Sequence, residues 1–245
     1  MSEVSKFFQE RNDDIEQMGK DVALKQKSLE WMLHADQYKY TYNFTWMGRP
    51  IIKFPQDILA LQEIIWETKP DVIIETGIAH GGSIIFSASM LKLVNENGKV
   101  IAVDIDIRQH NRIEIENHPM YESITMFEGS STDLEIVEKI KNEIPKNAKV
   151  MVILDSLHTH EHVLKELEIY SELVTEGMYL ILPDTFIEFF PKGYYDNRPW
   201  DVGNNPYTAL MEFLSKNNDF VIDKKIVNKM MITEGIDGFL KKVGK

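Results

Sequence analysis

A carboxylate and three glycines stand together between two apolar runs. They belong to the stretch Val72-Ile73-Ile74-Glu75-Thr76-Gly77-Ile78-Ala79-His80-Gly81-Gly82-Ser83. The apolar residues before the carboxylate predict a buried strand, and those after the last glycine predict a helix, so that the glycines occupy the turn between them. Since glycine has no Cβ, a ligand can approach the backbone of such a turn closely. The stretch is typical of the ligand-binding turn in a parallel βαβ unit.

The carboxylate of Glu75 favours a cationic ligand at this turn. A dinucleotide would place its pyrophosphate there and be repelled, and its fingerprint also requires glycine where this chain has Ala79. S-adenosylmethionine carries a cationic sulfonium and an ammonium group, which an acidic residue attracts. The sequence therefore predicts an S-adenosylmethionine site, and a tight turn with an incidental glutamate is the alternative. Its predicted cofactor-binding residues are Glu75, Gly77, His80, Gly81 and Ser83.

Further carboxylates follow other apolar runs that predict strands of the same sheet. The predicted strands are 72–74, 99–106, 124–129, 150–155 and 178–184, and the acidic residues at their ends are Glu75, Asp104, Glu128, Asp155 and Asp184. Continuous apolar strands that alternate with amphipathic helices indicate a parallel sheet buried on both faces, with all carboxyl ends at one edge. Because clustered like charges repel, function explains these carboxylates better than stability does.

The elements that position these residues predict an α/β fold of the Rossmann-like type. The residues 57–66 have helical spacing, with Asp57 as the expected N-cap, and 206–216 predict another helix. The segments 220–226 and 229–233 predict two strands joined by Val227-Asn228. We expect a seven-stranded, mostly parallel sheet with a C-terminal antiparallel hairpin, which is the usual ending of class I methyltransferases.

The two ends of this predicted sheet domain carry additional segments. Residues 1–50 predict N-terminal helices that form a cap, and 51–245 predict the catalytic domain. The aromatic residues of the cap favour core packing, with one or two as candidates for an acceptor site: Trp31, Tyr38, Tyr40, Tyr42, Phe44 and Trp46. The long aromatic loop at about 185–205 predicts a lid over the site.

Composition excludes several classes of protein. The 245 residues carry a formal charge of −12, which argues against nucleic acid as a partner. The absence of cysteine excludes disulfides and thiolate metal sites. No apolar run reaches the roughly 18–20 residues of a membrane span, and the N-terminus lacks the core of a signal peptide. We expect a soluble, cytoplasmic protein without a membrane partner.

Several motifs occur in a fixed order and together carry a family resemblance. They are Trp46-Met47-Gly48, the stretch 75–83, Val103-Asp104-Ile105-Asp106-Ile107-Arg108-Gln109-His110-Asn111-Arg112, Glu128-Gly129-Ser130-Ser131, Leu154-Asp155-Ser156-Leu157-His158-Thr159-His160-Glu161-His162-Val163 and Asp184-Thr185. This set, over roughly residues 45–190, resembles the cephalosporin hydroxylase family, a branch of class I S-adenosylmethionine-dependent methyltransferases. Similar sequences include sugar O-methyltransferases, so the family name does not define the reaction.

The resemblance implies a divalent metal, usually Mg²⁺. Such proteins hold it through a carboxylate after the fourth strand and an acidic pair after the fifth, which Asp155 and Asp184 match. The first member of the acidic pair falls on Pro183, which cannot bind a metal, and Glu188 or water is the candidate to complete the shell. Oxygen ligands and the lack of cysteine favour Mg²⁺ over zinc.

Three histidines follow Asp155 at alternate positions. His158, His160 and His162 enter a predicted helix, where this spacing does not place them on one face, so a zinc site is not favoured. His158 is the best candidate for a general base, because neutral imidazole accepts a proton near neutral pH. A capping or packing role is its alternative, and His160 and His162 are predicted to be structural.

The sequence thus predicts a metal-assisted O-methyltransferase. Glu75 would hold the ammonium of the cofactor, and Asp104 the ribose hydroxyls. The adenine would lie against Glu128, Gly129, Ser130 and Ser131. With Mg²⁺ on Asp155 and Asp184, His158 would take the proton of an acceptor hydroxyl on a sugar or another small secondary metabolite.

Two alternatives of other kinds are open, and one expectation concerns assembly. The first alternative is a hydroxylase-like or helper protein in the tailoring of an antibiotic. The second is a non-catalytic ligand-binding protein, which Pro183 favours because it removes a metal ligand. Under each of these interpretations, including the methyltransferase, we expect the protein to form a homo-oligomer.

Overall fold

The structure is a computed structural model that describes residues 2–244. Its α-helices are α1 (Glu3–Lys20), α2 (Val22–Asp36), α3 (Pro55–Thr68), α4 (Gly82–Val94), α5 (Gln109–Glu116), α6 (Leu134–Glu143), α7 (His160–Tyr170), α8 (Pro206–Lys216) and α9 (Lys224–Met230). Its strands are β1 (Phe44–Trp46), β2 (Arg49–Ile51), β3 (Val72–Thr76), β4 (Lys99–Asp104), β5 (Ile124–Glu128), β6 (Val150–Leu154), β7 (Tyr179–Ile181), β8 (Phe220–Ile222) and β9 (Phe239–Lys242). Short 3₁₀ helices cover Tyr40–Asn43, Tyr121–Ser123 and Thr185–Phe189.

Seven strands form one sheet in the order β5-β4-β3-β6-β7-β9-β8. The pairs from β5 to β7 are parallel, and β9 runs antiparallel to both β7 and β8. The strand order reverses between β3 and β6, which places a crevice beyond the carboxyl ends of these two strands. The predicted Rossmann-like, mostly parallel sheet with an antiparallel ending is confirmed.

Each central strand is buried on both faces. In β3, Ile73 packs into the core under α3 and α4, whereas Ile74 packs into the core under α6, α7 and α8. Because successive side chains of a strand point to opposite faces, the side chains that face each of the two cores must be apolar. This double burial explains why the parallel strands read as continuous apolar runs in the sequence.

The C-terminal hairpin lies elsewhere than predicted. The prediction of strands at 220–226 and 229–233 is wrong, because the strand β8 stops at Ile222 and the helix α9 follows. The side chain of Asp223 accepts a hydrogen bond from the backbone N–H of Lys225 and so caps this helix. The second strand is β9, which inserts between β7 and β8.

The start of α3 also differs from the prediction. Phe54 occupies the N-cap and Pro55 the first turn, so Asp57 does not cap the helix. Instead, the buried carboxylate of Asp57 accepts hydrogen bonds from the Thr233 hydroxyl, at 2.5 Å, and from the Glu234 N–H, at 2.9 Å. The N-terminal part of α3 is thereby tied to the segment between α9 and β9.

The N-terminal helices contact the body of the protein at two places. The helix α1 packs against α9. In α2, Met32 is buried in a third apolar cluster with Phe54, Phe186 and Phe190. This cluster joins the N-terminal segment to the loop after β7. Among the helices described, none has both the length and the apolar character that a membrane span requires.

Candidate active site

A cleft of about 620 Å³ lies along the carboxyl edge of the sheet. It brings together four of the five predicted strand-end carboxylates, which are Glu75, Asp104, Asp155 and Asp184. The fifth, Glu128, does not line the cleft and pairs with Arg112 at 2.7 Å. The parallel strands thus deliver their carboxyl ends to one place, as the apolar runs predicted, and Glu128 is the exception.

The turn after β3 requires its glycines for a reason that the sequence did not reveal. A Cβ on Gly77, which has a φ of +87°, would lie 1.8 Å from the carbonyl oxygen of Asp155. A Cβ on Gly82 would lie 2.1 Å from the carbonyl oxygen of Pro50. The glycines therefore allow backbone segments of the protein itself to approach each other, in addition to leaving room for a ligand.

Two side chains hold this glycine turn in place. The carboxylate of Asp104 accepts hydrogen bonds from the N–H groups of Ile78, at 2.7 Å, and Ala79, at 3.2 Å. The guanidinium of Arg49 donates two hydrogen bonds to the carbonyl of His80, at 3.0 and 2.8 Å. Asp104 was predicted only as a ribose ligand, and Arg49 was not predicted at all. The turn is consequently fixed before any ligand arrives.

Glu75 is fully buried at the floor of the cleft, with 0% exposure. One carboxylate oxygen, Oε2, accepts a long hydrogen bond from Ser87 at 3.5 Å. The other, Oε1, has no hydrogen-bond partner among residues 2–244. The buried Ser83 hydroxyl, which also lacks a partner there, lies close enough to favour the charged form of the carboxyl and lower its pKa. Burial raises the pKa of Glu75 to about 7, although the nearby Lys53 opposes this shift. A buried carboxylate oxygen without a partner is unusual and fits a cationic group of a ligand.

Asp155, His158 and Asp184 form an acidic centre beside Glu75. One ligand atom from each of the three lies within 4.8 Å of the other two. The ring nitrogen Nδ1 of His158 is 3.4 Å from Oδ2 of Asp184. The same ring meets Trp200 edge to face, with 4.7 Å between ring centroids. Burial, reinforced by the charge of Asp155, raises the pKa of Asp184 to about 6.

The sequence did not predict Lys53, which lies against this centre. Its ammonium donates a hydrogen bond to Oδ2 of Asp155 at 3.0 Å and lies 3.8 Å from the carboxylate of Glu234. Burial alone would lower the pKa of Lys53, but Asp155, Glu234 and Glu75 more than offset this and keep the amine protonated. Likewise, burial would raise the pKa of Asp155, but Lys53 reverses the direction and lowers it.

Lys53 corrects one sequence-based argument about the two metal carboxylates. From the sequence alone, the clustered carboxylates, Asp155 and Asp184 among them, were expected to repel each other as like charges. The protein supplies a cation of its own to Asp155. One signal in the sequence points to Lys53, namely its position between Ile52 and Phe54 in an otherwise apolar stretch.

The other predicted residues separate into cleft and non-cleft positions. Ser130 and Ser131 line the cleft together with His80 and Ser83, whereas the predicted residues Gly81 and Gly129 do not. Glu188, the candidate third metal ligand, accepts hydrogen bonds from the N–H of Gly203 and from Asn205, so it braces the loop. His158 takes its place as the third member of the acidic centre.

The two remaining histidines of the motif differ in position. His160 bridges α7 to α8 through Thr208, at 2.9 Å, and Glu212, at 3.1 Å, which is a structural role. His162 lines the cleft, and its Nε2 lies 3.1 Å from the hydroxyls of both Ser131 and Ser156.

The aromatic loop after β7 forms one wall of the cleft. Tyr195, Arg198 and Trp200 line the cleft there, and Tyr42 from the N-terminal segment also lines it. The guanidinium of Arg198 lies 5.4 Å from the centroid of the Trp200 ring. The loop is pinned near its base, where Asp201 accepts a hydrogen bond from the N–H of Gly193 at 2.8 Å.

A Rossmann-like sheet with a glycine turn, a buried glutamate and an acidic cleft at its carboxyl edge defines a class I S-adenosylmethionine-dependent methyltransferase. Within this class, the chain belongs to the Rhamnosyl O-methyltransferase/CmcI family, which matches residues 38–243. The resemblance to the cephalosporin hydroxylase family and the prediction of an O-methyltransferase are confirmed.

Two curated relatives illustrate the similarity in sequence. The Rhamnosyl O-methyltransferase of Mycobacterium bovis (strain BCG / Pasteur 1173P2) is 32% identical over 204 residues, which cover 80% of this chain and 77% of that protein. The Rhamnosyl O-methyltransferase of Mycobacterium leprae (strain TN) is 34% identical over 217 residues, which cover 84% of this chain and 89% of that protein.

Solved structures show the same fold at lower identity. The structure described as "cmcI-D160 Mg-SAM" has a TM-score of 0.57 and 21% identity, covering 83% of this chain and 78% of that chain. The O-methyltransferase from Bacillus cereus in complex with SAH has a TM-score of 0.54 and 18% identity, covering 89% and 91%. At these identities the comparison supports the fold and no finer property.

Proposed function

We propose that the protein transfers the methyl group of S-adenosylmethionine to a hydroxyl group of a sugar or a similar small metabolite, assisted by a divalent metal ion. The observation that carries this proposal is the unpartnered oxygen of Glu75 next to the acidic centre in one cleft. The unpartnered oxygen of Glu75 suits a cationic methyl donor, and the acidic centre suits an acceptor hydroxyl. The names of the mycobacterial relatives support a sugar as the acceptor.

The donor would occupy the half of the cleft above β3 and β4. Its ammonium group would meet Oε1 of Glu75, which otherwise lacks a partner. The ribose hydroxyls would meet Asp104, whose carboxylate faces the cleft while it holds the glycine turn. Ser130 and Ser131 line the cleft near the expected adenine position, and we assign no donor contact to Glu128 or Gly129.

The metal would be held by Asp155 and Asp184 in the other half. Their carboxylate oxygens are the ligand type that Mg²⁺ prefers, and they lie close enough to share one ion. When bound there, such an ion would orient an acceptor hydroxyl and lower its pKa. Pro183 contributes no side-chain ligand, so we expect weak binding of the metal.

His158 would act as the general base. Its Nδ1 lies 3.4 Å from Oδ2 of Asp184, so the other ring nitrogen, Nε2, is the one that would accept the proton of an acceptor hydroxyl. The acceptor oxygen would attack the methyl carbon while the carbon–sulfur bond breaks and its electron pair goes to sulfur. The hydroxyl proton would pass to Nε2 of His158. Asp184 and Trp200 would hold the imidazole ring in place.

The aromatic wall supports a ring-shaped acceptor. Tyr42, Tyr195 and Trp200 offer ring faces and edges to the cleft next to His158. The C–H face of a sugar ring packs well on such side chains, and its hydroxyls would point towards the acidic centre. We therefore propose a sugar hydroxyl as the acceptor and leave the position methylated unassigned.

A labelled methyl donor tests this proposal directly. The protein would be incubated with methyl-labelled S-adenosylmethionine and a panel of rhamnosides, other glycosides and phenols, and products would be analysed by mass spectrometry. We expect label in a glycoside product, with loss of activity in chelator. A product that gains oxygen without label would favour the hydroxylase-like alternative. No turnover of any acceptor, with donor bound, would favour the non-catalytic alternative.

A further inference from the structure

A buried ionic cluster lies directly beneath the acidic centre. It consists of Lys53, Asp57, Thr233 and Glu234, which come from the segment before α3, from α3 and from the segment before β9. The three ionisable members, Lys53, Asp57 and Glu234, are 2%, 4% and 6% exposed, respectively, and burial raises the pKa of both carboxyls. Charges buried to this degree are costly unless they have a task or a full set of partners.

The contacts of the cluster converge on Lys53. Asp57 fixes the backbone of Glu234 by accepting its N–H at 2.9 Å. The backbone carbonyl of Glu234 in turn accepts a hydrogen bond from the Thr185 hydroxyl, next to Asp184. The side chain of Glu234 faces the Lys53 ammonium at 3.8 Å, and that ammonium reaches Asp155 at 3.0 Å. The cluster therefore connects the two predicted metal carboxylates through protein atoms alone.

We propose that Lys53 is a positioning residue of the active site, which holds the Asp155 carboxylate in its working orientation and sets how tightly the site binds a divalent cation. This inference rests on the proposed function for the identity of the site. Lys53 engages only Oδ2 of Asp155. A divalent cation would then bind through the other oxygen of Asp155 and through Asp184, against the charge of the ammonium group.

Two opposite effects of removing Lys53 follow from this arrangement. Loss of the ammonium removes a positive charge next to the metal position, so a divalent cation should bind more tightly. Loss of the hydrogen bond also frees the Asp155 carboxylate to rotate, so the reaction should become slower. A residue that only supports the fold would not produce tighter metal binding together with slower turnover.

The test compares four variants of the full-length protein: Lys53→Met, Glu234→Gln, Lys53→Met/Glu234→Gln and, as a surface control, Lys216→Met. Mn²⁺ affinity is measured by calorimetry without donor or acceptor, and kcat and KM are measured separately with saturating Mn²⁺. Loss of Lys53 should tighten Mn²⁺ binding about tenfold and lower kcat about tenfold or more. Both shifts should occur in the wild-type and the Glu234→Gln background, whereas Lys216→Met should change neither.

The effect of removing Lys53 can be measured in two backgrounds, the wild type and Glu234→Gln. If Lys53→Met alone does not fold, the double variant Lys53→Met/Glu234→Gln, which lacks both charges of the pair, is compared with Glu234→Gln instead. Equal Mn²⁺ affinity with and without Lys53, in every background that folds, would overturn the inference, as would unchanged kcat. Absence of methyl transfer by the wild type would refute the proposed function, and the Mn²⁺ comparison would still decide the role of Lys53.

Discussion

Replacement of Glu75 by glutamine should weaken donor binding and at the same time stabilise the free protein. Glutamine keeps the shape of the side chain and removes its charge. The carboxylate has 0% exposure, and its Oε1 has no partner among residues 2–244. The charge is therefore a net cost to the unliganded protein, which Lys53 offsets only in part, and it becomes a benefit when a cationic group of a ligand binds.

The size of both effects can be worked from the site. A hydrogen bond to a charged group contributes about 1–3 kcal/mol, so Glu75→Gln should weaken S-adenosylmethionine binding roughly 5- to 150-fold. Burial raises the pKa of Glu75 from its ordinary value of 4.5 to about 7. The folded protein then binds this proton more tightly than the unfolded chain, so stability falls as pH rises from 4.5 to about 7. Above this window the cost is about 3 kcal/mol, of which glutamine should recover a part.

The assay combines calorimetry with chemical unfolding at two pH values. S-adenosylmethionine affinity is measured for the wild type, Glu75→Gln and the surface control Glu138→Gln. Unfolding free energies are measured at about pH 8, where the gain should be largest, and near pH 5, where most of it should disappear. Unchanged donor affinity in Glu75→Gln, or lower stability at the higher pH, would refute the reasoning. Tight NAD binding without binding of S-adenosylmethionine would refute the cofactor itself.

Three further predictions address the base, the metal and the turn. His158→Ala should lower kcat about 10²–10⁴-fold with donor affinity nearly unchanged; an unchanged rate with a lower melting temperature would assign it a structural role. The activity of the wild type should disappear in chelator and return with excess Mg²⁺ or Mn²⁺, and Asp155→Asn should be inactive. Pro183→Glu should bind Mn²⁺ more tightly in calorimetry. Full turnover in chelator would exclude a role for the metal. Gly77→Ala should lower the free energy of unfolding by about 3–5 kcal/mol, because the Cβ of the alanine would overlap the Asp155 carbonyl. An unchanged free energy of unfolding would contradict this.

The central part of the sheet was predictable because burial on both faces leaves a direct trace in the sequence. The strands β3 and β6 lie between two cores, so residues 72–74 and 150–154 are all apolar and the runs are unambiguous. The C-terminal hairpin was misplaced because its segments are short and carry mixed patterns. The N-cap residue Asp223 is a local signal for the start of α9, but the apolar pattern around it also fits a strand. The strand β9 forms because β7 and β8 flank it.

The sequence by itself was enough to bring Glu75, the residue proposed to meet the donor, to the same sheet edge as two carboxylates of the acidic centre. Glu75, Asp155 and Asp184 follow parallel strands, and the carboxyl ends of parallel strands meet at one edge whatever the details of packing. The ligand chemistry then follows from the residue types, because carboxylates attract cations and glycines permit close approach.

Only the tertiary structure decided the electrostatics of the site. Lys53 and Glu234 are far apart in the chain, and packing of the segments before α3 and β9 brings their charges within 3.8 Å beneath Asp155. Elsewhere in the fold, Arg112 of α5 pairs with Glu128 of β5, and the segments after β6 and β7 place His158 beside Asp184. These outcomes depend on which charges the fold brings together in a low-dielectric interior, and no local pattern of residues encodes the distances between them.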